Sequence, residues 1–178
     1  MATPVWVRKT QNKLHNTINK YNKNLAPLGL HVKKFGNPDM FEIVYGNGNR
    51  QSSLRVNVNP YLLTANLASG NTHPNNRGKG VGLALRTFAA ALLRNAGYVK
   101  VWHHGVTLQN RNNASLNKTD NLPISTYIVR KYLGFKPYGR EGNYRSIWRA
   151  SSPRAVKRVK NAEGTARNKL KALLTKVN

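Results

Sequence analysis

Residues 77–97, "RGKGVGLALRTFAAALLRNAG", constrain the fold more than any other stretch. Arg77-Gly78-Lys79-Gly80-Val81-Gly82 sets glycines at every second position, and the segment that follows is mostly apolar. Leu85, Phe88, Ala89 and Leu92 recur at helical spacing, with Arg86 and Arg94 expected on the opposite, polar face and Asn95-Ala96-Gly97 as a stop. Upstream, "YLLTANLA" is a dense apolar run of the kind a central strand needs. A strand, a glycine turn and an apolar helix make up the unit from which α/β sheets are built. Glycines let backbone N–H groups approach an anion, and a helix start adds roughly half a positive charge, so the turn suits a pyrophosphate. Two familiar phosphate loops fail on spacing. Lys79 is followed by Gly80 rather than Ser or Thr, and Leu83 stands where a dinucleotide fingerprint needs its third glycine.

The rest of the chain supplies a sheet around that unit. Val7, Leu14, Ile18, Tyr21 and Leu25 predict an amphipathic helix after Thr3-Pro4, read as its cap and first-turn pair. "LHVKKFG" and "MFEIVYG" read as strands around the turn Gly36-Asn37-Pro38-Asp39, and "SSLRVNVN" alternates as a half-buried strand should. Past the glycine turn come a strand at "YVKVWHHGV", a long polar loop at 109–123, a short helix at "ISTYIVRKYLGF" and a last strand at "NYRSIWRA". The expected fold class is α/β (α+β), with a mixed, mainly antiparallel sheet flanked by helices over residues 1–150. Residues 151–178 form a basic amphipathic helical arm. Ser152-Pro153 starts that helix, and Val156, Val159, Ala162, Ala166, Leu170, Leu173 and Val177 give it an apolar stripe. Gly164 is expected to bend or interrupt it.

Thirty Lys plus Arg against five Asp plus Glu leave a formal charge of +25, a self-repulsion that a polyanion would relieve. Nucleic acid is the expected partner, met by Arg154, Lys157, Arg158, Lys160, Arg167, Lys169, Lys171 and the general basic surface. A membrane surface is a weaker reading, because the arm lacks the Trp or Phe usual at an interface. With no cysteine there is no disulfide scaffold, thiolate zinc site or cysteine nucleophile, and no His/Asp/Glu spacing makes a metal site. The start lacks a signal peptide's apolar stretch, so an intracellular or virion-packaged protein is expected, and the glycosylation patterns at Asn113 and Asn117 are discounted. The oligomeric state is not legible.

The turn Arg77-Gly78-Lys79-Gly80-Val81-Gly82 and the later Leu133-Gly134-Phe135 resemble two marks of the acyl-CoA-dependent N-acetyltransferases of the Gcn5-related (GNAT) superfamily. The resemblance covers about residues 5–150 and leaves the arm outside. It implies acetyl-CoA as cofactor, its pyrophosphate held by the backbone of Gly78, Lys79, Gly80, Val81 and Gly82 with Arg77 alongside. It also implies that the strands at 62–68 and 98–106 splay apart to admit pantetheine. The tyrosine that protonates the leaving thiolate in many members is replaced here by Arg130. Tyr127 and Tyr132 do not align with it. Glu42 is the only glutamate in the first 140 residues, and Asp39 and Asp120 fall in expected loops. His73, His103 and His104 could carry a proton, though packing histidines read the same way. No catalytic residue is therefore assigned.

Charge then narrows the substrate. A surface near +25 repels polyamines, histone tails and aminoglycosides, whereas an amine borne on RNA fits. Two functions stay open: an acetyl-CoA-dependent N-acetyltransferase acting on or attached to nucleic acid, and a lapsed GNAT-fold structural protein packed against it, for instance in a virion.

Overall fold

A computed structural model describes residues 2–104, 122–139 and 144–175 of the 178. Helix α1 spans Val5–Leu25, and strands β1 Leu30–Lys34, β2 Met40–Tyr45, β3 Ser52–Asn59 and β4 Thr64–Asn71 follow. Then come α2 Val81–Ala96, β5 Lys100–His103, α3 Ile124–Lys131, β6 Lys136–Pro137, β7 Ser146–Arg149 and α4 Pro153–Leu174. The seven strands form one sheet in the order β1-β2-β3-β4-β5-β7-β6. Every pairing is antiparallel except β4 with β5, which are parallel because α2 carries the chain back across the sheet between them. This mixed, mainly antiparallel sheet with flanking helices is the fold class expected from the sequence.

Period-2 alternation sets which sheet face is buried. Leu54, Val56 and Val58 of β3 are buried, while Arg55, Asn57 and Asn59 between them are exposed. Registers carry the buried row across the sheet through Phe41, Ile43, Ala65, Leu67, Val101 and Trp148. Helix α2 lies on that face and is buried nearly all round, since α1 and α4 pack against it as well. That second cover corrects the expectation of a polar face on α2. Arg86 is only 7% exposed.

Helix ends follow local chemistry. Gly97 closes α2 in the left-handed region at φ 95°, and the Ser152 Oγ accepts from the Ala155 N–H at the start of α4. Helix α1 begins without a side-chain cap, contrary to the reading of Thr3-Pro4: Pro4 is the N-cap residue. Helix α4 runs through Gly164 without interruption, so the expected break does not occur. Its stripe Ala155, Val159, Ala162, Ala166 and Leu170 is buried, and Gly164 faces open space. Strand β4 starts at Thr64 rather than Leu62, because Leu63 takes φ +52° in the turn before it. The loop expected at 109–123 lies mostly outside the described residues, as do Gly105 and Val106, Asn113, Asn117, Asp120 and Val177.

Candidate coenzyme turn and strand fork

The parallel pair runs only from Thr64↔Lys100 to Leu67↔His103. Beyond Leu67, β4 continues to Asn71 and, among the described residues, is paired to β3 alone, with a bulge between Arg55 and Val56 that leaves Ala68 extra. A bulge bends its strand and increases local twist, and the described pairing of β4 with β5 ends here, at a fork in the described sheet. The glycine turn follows directly.

Ser52, buried at the start of β3, braces that turn: its Oγ accepts from the His73 N–H at 3.0 Å and from Asn76 Nδ2 at 2.9 Å. The His73 Nδ1 accepts from the Asn75 N–H, so this histidine is occupied in shaping the turn. Arg77 folds back to donate from Nε to the Thr72 C=O. Gly78 and Gly80 take φ +73° and +82°, a region that L side chains rarely adopt, and Gly80 is the N-cap of α2. The first backbone bond into the helix is from the Ala84 N–H to the Gly80 C=O, so the amides from Gly78 to Gly82 have no backbone acceptor among the described residues. No acidic residue stands in the first turn of α2.

Lys169 of α4 lies over this turn. A Cβ on Gly80 would come within 2.9 Å of its Cδ and 3.8 Å of its Nζ. Lys169 thus stands over the positive end of a helix, with Arg77 and Lys79 next to it in sequence, and that end disfavours cations. The arrangement is satisfied by an anion, and the open glycines and free amides fit a pyrophosphate. Sequence periodicity places Lys169 only on the polar face of the arm, because it cannot say which turn that face crosses.

The remaining candidates are drawn elsewhere. Arg130, at the usual tyrosine position, donates to the Ser146 Oγ at 2.8 Å and the Arg145 C=O. Tyr127 and Tyr132 pack edge to face at 6.0 Å with Lys131 over both rings, and the Lys131 Nζ bonds the Tyr127 hydroxyl. Glu42 sits in register between Lys33 and Arg55 on the outer sheet face. Asp39 accepts from Gln11, and Glu163 pairs with Arg167 at 3.3 Å. No described carboxylate is at the fork. His103 is there, 5% exposed, with Nδ1 unpartnered. Burial and the neighbouring Arg86, His104 and Arg130 push its pKa down to about 3. His104, more open, is lowered by burial and Arg145. The described residues hold no cluster suited to a metal, and no described helix is long and apolar enough to cross a membrane.

No protein-family profile matches the chain, and neither does any curated protein. Among solved structures, a nourseothricin acetyltransferase is similar at 27% identity over 40% of this chain and 44% of its own, with TM-score 0.33. The chain therefore spans under half of that protein's length. Tetrahymena GCN5 is similar at 11% identity over 82% of this chain and 89% of its own, with TM-score 0.39.

Proposed function

We propose that this chain binds acetyl-CoA at Arg77, Gly78, Lys79, Gly80, Val81 and Gly82 and acts as an N-acetyltransferase on, or attached to, nucleic acid. The observation that carries the proposal is the turn itself. Free amides, two left-handed glycines and three cations meet at the N-terminus of α2, beside the fork of the only parallel strand pair among the described residues. The coenzyme would supply an acetyl group activated as a thioester. The amides of Gly78 to Gly82 hold the pyrophosphate, Lys169 adds charge to it, and the edge of β4 past Leu67 orients the extended arm beside it. Cations exposed on α4 seat the polyanion.

Titration calorimetry with acetyl-CoA tests the cradle. Binding is expected, and Lys169→Ala should weaken it about tenfold, the order of one charge-assisted contact. A folded protein that takes up no acetyl-CoA overturns the proposal. Neutral His103 and the absence of a described carboxylate at the fork favour a second reading, the lapsed structural protein that keeps the cradle. Thiol release from acetyl-CoA with aminoacylated or modified RNA as acceptor separates the two: turnover supports the enzyme, and binding without release from any amine supports the scaffold.

A further inference from the structure

Arg86 is the one Lys or Arg that is buried among the described residues. Its Nη1 donates to the Gly82 C=O at 3.0 Å, which ties the side chain to the first turn of α2. Its Nε is buried with no partner, and no described carboxylate pairs with it. Burial lowers its pKa only to about 10, so it stays charged at neutral pH. A buried cation left unpaired is strongly unfavourable. What remains free is the Nε–Nη2 edge, the one with which a guanidinium grips an oxyanion through two parallel bonds. Nη2 lies 3.0 Å from where a side chain on Gly70 would begin, and Gly70 is exposed on the stretch of β4 past its described pairing with β5. Gly70 thus packs on the guanidinium where a side chain would clash with it.

A second cation meets the same place from α3. Arg130 bonds Ser146, which stands opposite His103 in the β5–β7 register, and both guanidiniums act on His103. Thr126, one helical turn before Arg130, has a buried hydroxyl with no partner, as does Nδ1 of His103. Arg86 Nε, the Thr126 hydroxyl and His103 Nδ1 are thus buried and unmatched, on α2, α3 and β5, and the charged group among them is positive.

We propose that Arg86 and Arg130, with the Thr126 hydroxyl, form an oxyanion pocket at the fork of β4 and β5 that takes a carboxylate or phosphate group of the molecule brought there. As an anchor for the acceptor, the pocket rests on the acetyl-transfer reading; as an anion site it does not. It also answers for the arginine at the tyrosine position: the fork holds charge where many GNAT members place a proton donor.

Thermal unfolding tests it without coenzyme, so its outcome is independent of the acetyl-CoA titration. The wild-type midpoint should rise with acetate or phosphate over chloride at matched ionic strength, and the anion giving the larger rise identifies the group. Arg86→Met, similar in length and uncharged, should raise the midpoint in chloride by removing an unpaired buried charge and should abolish the anion-specific rise. Lys20→Gln, on the exposed face of α1, should keep that rise. The proposal is overturned if the wild type responds equally to all three anions, or if Arg86→Met retains the response. Should Arg86→Met fail to fold, Arg86→Lys is the arm to read: a point charge without the forked edge should lose at least half the anion-specific rise, and an unchanged rise would overturn the pocket.

Discussion

His103 shows how far the fork alters a single residue. Its neighbours on β5 and β7 bury it, and Arg86, His104 and Arg130 oppose its protonation, so the folded pKa falls to about 3 from an ordinary 6.5. Between those values the unfolded chain binds a proton that the folded chain does not. Stability contributed by neutral His103 is therefore full above about pH 6.5 and is lost as pH falls toward 3, by at most about 5 kcal/mol. His103→Gln is neutral at every pH and should lack this component. Urea unfolding of both proteins at steps from pH 7 to 4 checks it: the wild type should lose stability more steeply with acid, by up to about 1.4 kcal/mol per pH unit. Parallel curves would show that His103 is not held neutral. Of this, the sequence shows a histidine on a strand beside the turn. The burial depends on what packs over that end of the sheet, which a strand pattern cannot place.

At the scale of elements, a periodic stripe is legible when one neighbour covers it. Val7, Leu14, Ile18, Tyr21 and Leu25 on α1 and Val159, Ala162, Ala166 and Leu170 on α4 are buried as their spacing predicts, while Val156 and Leu173 are half-buried. Helix α2 breaks the rule because the sheet, α1 and α4 cover it together, and Arg86 then goes inside although it is charged. The glycine turn is readable because positive φ demands glycine. The fork beside it is not, since the bulge at Ala68 carries no glycine or proline. Gly164 illustrates the opposite error, a helix penalty mistaken for a break. The flanking residues pack well enough for α4 to continue, and the glycine only weakens it. Gly164→Ala puts a methyl into open space at a helical position and should stabilise the protein by about 0.5–1 kcal/mol. Thermal or denaturant unfolding should show a higher midpoint. A lower one would mean that α4 needs flexibility there.

For the whole molecule, the question is how the excess charge is disposed. The seven arm cations read from the sequence do not act alike. Arg158 donates to the Arg130 and Lys131 carbonyls at the C-terminal end of α3, where a cation is favoured. Arg167 pairs with Glu163 and lies 5.3 Å from the Phe88 ring centroid, and Lys169 covers the glycine turn. Arg154, Lys157, Lys160 and Lys171 remain exposed at spacings of three to four residues or their multiples, on the face opposite the buried stripe. That row spans roughly 25 Å at 1.5 Å per residue, long enough to meet several phosphates of one duplex. Each contact made releases counterions and adds about 0.9 to the fall of log K with log salt on duplex DNA. Replacing all four by glutamine leaves the buried stripe and the inward-facing cations intact, so the fold should hold. Fluorescence anisotropy with a labelled DNA duplex from 50 to 300 mM salt should show weaker binding and a slope shallower by up to roughly 3–4 units. An unchanged slope would move the nucleic-acid surface off α4. It would then leave α4 the structural role of covering α2 and the glycine turn.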